Sequence, residues 1–162
     1  MVIELVDEIV KEHEITKENI IAVGSSKGGY AAIYYSLKYN FGCSIVGAPQ
    51  VLLGNYLLEE TSKSYSIAEY IAGGQDEESK KYLNDIIPTV ITQSESSVKL
   101  FIHIGKGEPH YRNHFLSLIK LLNQTNLNYE VDIQDYDTHD QVAEYYPSYL
   151  QNKIFQLTAI PK

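Results

Sequence analysis

The stretch Ile20-Ile21-Ala22-Val23-Gly24-Ser25-Ser26-Lys27-Gly28-Gly29-Tyr30-Ala31-Ala32 decides how this chain folds. A short apolar run stops at Gly24, and an alanine-rich run of helical character begins just past Ser26. Read as Gly24-x-Ser26-x-Gly28, it describes a strand, a sharp reversal and a helix. Such a turn holds the serine side chain clear of the backbone at the carboxyl end of a sheet. Gly24 and Gly28 are expected to let strand and helix pass closely, where a Cβ would clash. A five-residue pattern carries little by itself; the strand-like and helix-like flanks give it meaning.

Working outward, apolar periodicity predicts alternating helices and strands. Ile3, Val6, Ile9 and Val10 recur at helical spacing, so residues 2–13 read as an amphipathic helix. Residues 20–23 form a continuous apolar run, as a parallel strand buried on both faces requires. A helix is expected over 27–39, with Asn40 and Gly42 as stop signals. Residues 43–48 read as a second buried strand closed by Pro49, and residues 98–104 as a third. A helix over 112–122, an edge-like strand over 129–133 and a last helix over 140–157 complete the series. Pro147 either kinks or splits that last helix. The order implies right-handed crossovers and an α/β fold: a parallel sheet with helices on both faces. Residues 52–97 break the rhythm, with Gly73-Gly74, Asp76 as an N-cap, a polar helix through Asn84 and a serine-rich stretch from Gln93 to Ser97. They are expected to form a helical insertion over the carboxyl edge of the sheet, within one domain spanning 1–162. The insertion reads either as a cap shaping a substrate site or as a decorative excursion.

Composition narrows the function classes. At 162 residues the chain is one ordinary domain. A net charge of −8 offers no electrostatic reason to bind nucleic acid or an anionic membrane. Cys43 is the sole cysteine, so no internal disulfide and no oxidising compartment are required. The first residues include acids and hold no long apolar run, unlike a signal peptide or a membrane span. A cytoplasmic location is the corresponding expectation.

A serine hydroxyl needs a base within hydrogen-bond reach and an acid to orient that base. Five histidines are available. His13 ends the first helix and reads as solvated, whereas His103, inside the third strand, reads as a core histidine satisfied by hydrogen bonds. His110 and His114 are four apart and follow Glu108, a spacing that allows a metal to be imagined. The accompanying glutamate pattern of the zinc proteases is missing, so no metal and no cofactor are expected. His139 lies in the loop after the last strand, at the same carboxyl edge as Ser26. Glu108 lies just past the third strand in the glycine-rich turn Gly105-Lys106-Gly107-Glu108. Asp137 and Asp140 are rival acids, although both sit too close in sequence to grip the far nitrogen of His139 easily.

The chain order Ser26, Glu108, His139 resembles that of the α/β-hydrolases, and from about residue 15 onward the chain is similar to the carboxyl-terminal half of that fold. Gly24 to Ala32, Gly47-Ala48-Pro49-Gln50 and Phe101-Ile102-His103-Ile104-Gly105-Lys106-Gly107-Glu108 also resemble a narrower bacterial group. That group comprises hydrolase-like proteins of capsular polysaccharide biosynthesis and of accessory Sec systems that export glycosylated adhesins. The resemblance implies a serine esterase, or an O-acyltransferase or deacylase acting on carbohydrate or glycoprotein. Ser26 would be the nucleophile, His139 the base and Glu108 the orienting acid. The alternative it leaves is a non-catalytic module that binds a glycan or a protein partner in such an assembly. A complete hydrolase has strands before the elbow that supply part of the oxyanion hole. Here the backbone N–H of Lys27 is one donor and no second is evident. The chain is therefore expected to be a fragment of a longer protein, or a reduced relative that borrows structure from a partner. The strand over 20–23 is expected at a free sheet edge, open to a partner or to self-association unless a helix such as 2–13 covers it.

Overall fold

Four strands, β1 (Ile21–Ser25), β2 (Cys43–Gly47), β3 (Lys99–Gly105) and β4 (Asn128–Gln134), pair in parallel in the order β1-β2-β3-β4. The structure, a computed structural model, describes residues 2–60, 64–94 and 97–159. Each connection carries a helix: α2 (Lys27–Tyr39) between β1 and β2, α5 (Glu77–Gln93) between β2 and β3, α6 (Leu116–Leu122) between β3 and β4. Because the strands advance in one direction, right-handed crossovers place all three helices on the same face. The other face is covered by α7 (Val142–Thr158), which packs on β2 and β3. Every residue of β2 is buried, which a strand achieves only when both faces are covered. Ile33, Ile45, Leu100, Ile102 and Leu118 form the centre of the resulting core.

The two edges differ from the centre. β1 and β4 are only partly buried, and Val23 is 48 % exposed. β1 is the outer strand, as expected. The first helix, α1 (Val2–Glu12), has no buried residue, and its stripe of Val2, Leu5 and Ile9 faces solvent. No helix among the described residues is long and apolar enough to cross a membrane.

The described residues between 52 and 97 are mainly helical. α3 (Leu53–Asn55) runs into a π-helical turn (Tyr56–Glu60), and α4 (Tyr65–Ala72) and α5 follow. Leu57, Ala68 and Leu83 make a small second core. Asp76 caps α5 as expected, its Oδ1 accepting the Ser79 N–H at 2.8 Å. The helix then continues past Asn84 to Gln93, through Pro88. Ile87 and Ile91 of that extension join the main core, so burial of an apolar stripe outweighs the one backbone bond lost to proline. Of the serine-rich stretch, residues 95 and 96 lie outside the described residues. Pro147 likewise does not split the last helix; α7 runs through it.

Candidate active site

Ser26 sits between the end of β1 and the first residue of α2, with φ 53° and ψ −120°. A non-glycine residue there is strained, and such strain persists only where the surroundings impose it. The main chain is tied on both sides: the Ser26 N–H donates to Gly47 O at 2.8 Å, and its carbonyl accepts from Tyr30 and Gln50. Serine at a helix start normally turns its hydroxyl onto the helix N–H groups. Ser26 makes no such cap, so its hydroxyl is left for other partners. The glycines divide the work differently from the sequence expectation. A Cβ on Gly24 would run into the Gly28 carbonyl, whereas one on Gly28 would meet nothing within 4 Å. The close approach thus depends on Gly24 alone, with Gly29 packed tightly against Pro49.

The loops after β3 and β4 bring the other two expected residues to the same edge. His139 opens a 3-10 turn (His139–Gln141) leading into α7, and Thr138 and Gln141 close that turn with a reciprocal capping box. His139 Nε2 lies 2.9 Å from Ser26 Oγ, and its Nδ1 lies 3.0 Å from Glu108 Oε2. Glu108 is 1 % exposed; its Oε1 has no hydrogen-bond partner among the described residues. The carboxylate accepts the Nδ1 proton, which leaves Nε2 unprotonated and able to accept the proton of Ser26. Asp137 and Asp140 are exposed; Glu108 is the carboxylate that meets the ring. The Lys27 N–H is in the first turn of α2, where helix donors have no intrahelical acceptor.

His103 is a core residue: fully buried, with Nδ1 2.7 Å from Asp132 Oδ2 and its ring stacked on Tyr136. His13 is exposed. His110 and His114 lie closer to the chemistry than their sequence reading suggested. The His110 ring centroid is 4.0 Å from that of His139 and 4.7 Å from that of His114. His110 Nδ1 donates to Ala48 O at 3.0 Å, and His114 Nδ1 accepts the Leu52 N–H at 3.2 Å. Burial first, then the neighbouring His110 and His139, pushes the His114 pKa down to about 3, so this imidazole is neutral. Ligand-capable atoms of Glu108, His110 and His139 lie within 4.8 Å of one another. His139, one of the three, already engages Glu108 and Ser26 through its two ring nitrogens, so a cation bound by it would displace one of those bonds. The residue that sequence reasoning passed over is Gln50, buried just after β2, with Nε2 3.1 Å from Ser26 Oγ. Its signal was positional: the loop after β2 abuts the elbow because β2 is the neighbour of β1. A groove of about 870 Å³ between α2 and α5, lined by Tyr34, Lys38, Tyr82 and Asp85 among others, does not include these residues.

A parallel sheet whose first turn presents a strained serine, with a histidine and a buried carboxylate arriving from later strands, defines the α/β-hydrolase class. Within it, the chain belongs to the prolyl oligopeptidase family, which it matches over residues 2–156. No curated protein sequence matches it. Among solved structures, it is similar to a chain of the Glycosylation Associate Protein (Gap123) complex from Streptococcus agalactiae, at TM-score 0.79 and 19 % identity. That match covers 95 % of this chain and 32 % of the other. The capsule O-acetyltransferase of Neisseria meningitidis serogroup A matches at TM-score 0.77 and 24 % identity, over 93 % of this chain and 62 % of that one. FphF, a fluorophosphonate-binding serine hydrolase of Staphylococcus aureus, matches at TM-score 0.66 and 20 % identity, over 99 % and 62 %. The chain thus spans about a third of the first structure's length and under two thirds of the other two. At these identities the likeness is one of fold.

Proposed function

We propose that this protein is a serine esterase or O-acyltransferase/deacylase working through Ser26, His139 and Glu108. The observation that carries the reading is the unbroken relay from Ser26 Oγ through His139 to buried Glu108, with both links at hydrogen-bond length. In the first half-reaction Ser26 Oγ bonds to the acyl carbon while its proton passes to His139 Nε2. The carbonyl electron pair moves onto oxygen, facing the Lys27 N–H. Collapse returns the pair, breaks the bond to the leaving group and delivers the proton from His139 to it. In the second half-reaction His139 takes the proton of water or of a sugar hydroxyl as that oxygen bonds to the acyl carbon; the bond to Ser26 Oγ then breaks and His139 returns the proton to Oγ. Glu108 stays ionised throughout and stabilises the imidazolium.

The neighbours support a reading of the acyl acceptor and donor. A capsule O-acetyltransferase and a glycosylation-associated complex share the fold, which supports a carbohydrate or glycoprotein acceptor. One structure of that acetyltransferase is in complex with CoA, which supports a thioester donor for the transferase form. The segment from 52 onward acts as a cap over the acyl site. Leu52 bonds to His114, and the Tyr56 ring lies edge-on to His110 with centroids 6.0 Å apart.

The test is a small activated acyl ester together with a fluorophosphonate probe. The protein is expected to hydrolyse the ester and to be labelled at Ser26, with Ser26→Ala losing both and His139→Ala losing the label. A protein that neither labels nor turns over, yet binds a glycan or an assembly partner, would establish the non-catalytic module instead.

A further inference from the structure

His139 is held in its ring plane by two bonds, one from each nitrogen, to Ser26 Oγ and Glu108 Oε2. Under the reading above, the first of these does not survive acylation. An acylated Ser26 has no hydroxyl hydrogen, so its Oγ and the bare Nε2 face each other as two acceptors. Of the two bonds, only the one to Glu108 then remains. His139 must nevertheless keep its aim, because the same Nε2 has to take the proton of the incoming water or sugar hydroxyl. Its side chain is 32 % exposed, and solvent over that part cannot hold it. A contact out of the ring plane is required, and His110 makes one.

The rings of His110 and His139 lie with centroids 4.0 Å apart and planes tilted by 42°, so one covers a face of the other. His110 is itself firmly seated. It is 4 % exposed, and its Nδ1 donates to Ala48 O at 3.0 Å, since a carbonyl can only accept. The rings of His114 and Tyr56 meet it nearly at right angles, with centroids 4.7 Å and 6.0 Å away. Ala48 is fixed in turn, its N–H donating to His103 O at 2.7 Å. Pro109 opens the helical turn that carries His110, whose φ of −66° and ψ of −18° are helical. The carboxylate that orients His139 and the ring that backs it therefore come from one short segment, two residues apart.

Resting on the serine-hydrolase reading above, we infer that His110 is a positioning residue for His139, a seated ring face that keeps Nε2 aimed while the bond to Ser26 is absent. Glu108 fixes the tautomer and one end of the His139 ring. His110 stops that ring from swinging out of plane about its one remaining bond. The contact is present in both half-reactions and counts most in the second, where Ser26 offers no proton. Its working part is the ring face; the bond to Ala48 and the edge-on rings of Tyr56 and His114 only seat that face. Small losses of aim are costly, because a reacting group displaced by about 1 Å can lose a hundredfold in rate.

The experiment compares wild type with His110→Phe (ring kept, Ala48 bond lost), His110→Asn (a donor for Ala48 kept, ring lost) and His110→Ala on an activated ester. Burst kinetics separate acylation from deacylation, and thermal unfolding shows which variants fold. For His110→Asn and His110→Ala, kcat is expected to fall about 10–100-fold without a rise in KM, with deacylation slowed at least as much as acylation. His110→Phe should stay within about threefold of wild type. If His110→Ala does not fold, the comparison of His110→Phe with His110→Asn carries the test. The reverse ranking, with His110→Asn near wild type and His110→Phe slow, overturns the assignment and makes His110 a structural tie to the loop after β2. A folded His110→Ala with wild-type kcat, or one slowed only in acylation, overturns it as well and leaves the serine-hydrolase reading standing. A wild-type protein with neither turnover nor fluorophosphonate labelling overturns that reading, and this assignment with it.

Discussion

Glu108 is buried and commits one oxygen to His139, so its charge acts mainly on the imidazole. Glu108→Gln keeps the shape but favours the wrong tautomer of the ring, and kcat is expected to drop about 10⁴-fold while substrate binding is little changed. Steady-state kinetics on an activated ester check this; a loss of less than tenfold would remove Glu108 from the relay. Behind His139, the buried His114 should set a pH dependence of stability. Its pKa is about 3 in the folded protein, against 6.5 in an open chain. Between those values the unfolded chain binds the proton and the folded one does not. Stability is therefore fully present above pH 6.5 and lost as pH falls toward 3, by up to about 1.4 kcal/mol per pH unit. Urea unfolding at pH 7 and pH 5 should show this decline, and His114→Gln should flatten it. Equal slopes would refute the attribution. At the elbow, Gly24→Ala pushes a methyl into the Gly28 carbonyl and is expected to cost about 1–3 kcal/mol or more and displace Ser26. Gly28→Ala should be far milder, since open space awaits its Cβ.

At the scale of the element, α7 serves both the site and the sheet: the turn leading into it holds His139, and its second turn holds the elbow strand. Tyr146 is buried, its hydroxyl donating to Ile45 O at 2.6 Å and accepting the Gly24 N–H at 3.3 Å. Gly47 exists to admit that ring, which a Cβ there would strike. Tyr146→Phe leaves a buried donor and acceptor short of a partner and should cost about 1–3 kcal/mol. Each kcal/mol lowers Tm by about 2–4 °C in a chain of this size, which calorimetry can read. Much of this architecture was legible in the chain, because buried parallel strands announce themselves as apolar runs such as 43–47 and 99–104. The elbow could be read because strand-like and helix-like runs flank a turn where Gly24 leaves no room for a Cβ. Element ends were harder: Pro88 and Pro147 look like breakers, yet long-range packing of Ile87, Ile91 and Tyr146 holds both helices together. Ser26, Glu108 and His139 were legible through chain order and loop position. Gln50, His110 and His114 were not, since their proximity arises from strand adjacency that no local pattern records.

Across the whole molecule, the conspicuous feature is a sheet with two unpaired edges that are dressed differently. β1 and β4 each pair on one side only, but β4 is tied to α7 by Lys153, which bonds Glu130 at 2.7 Å, while Val23 of β1 is 48 % exposed. The free edge and the exposed Val23 are expected to draw a second strand, and the isolated chain should self-associate with rising concentration. Sedimentation velocity should show this, with Val23→Lys weakening it; a monomer at every concentration would argue for a sealed edge. The distribution of the relay along the chain has its own consequence for how the protein matures. Ser26 meets a partner 113 residues later, so its hydroxyl stays chemically ordinary until β4 has joined and α7 has docked. Such non-local closure comes late in folding, because distant segments meet only after intervening ones are ordered. A nascent or half-folded chain therefore carries the elbow without its reactivity. Under the proposed function, this arrangement is a safety catch: nucleophilicity at Ser26 would report that the last helix has arrived.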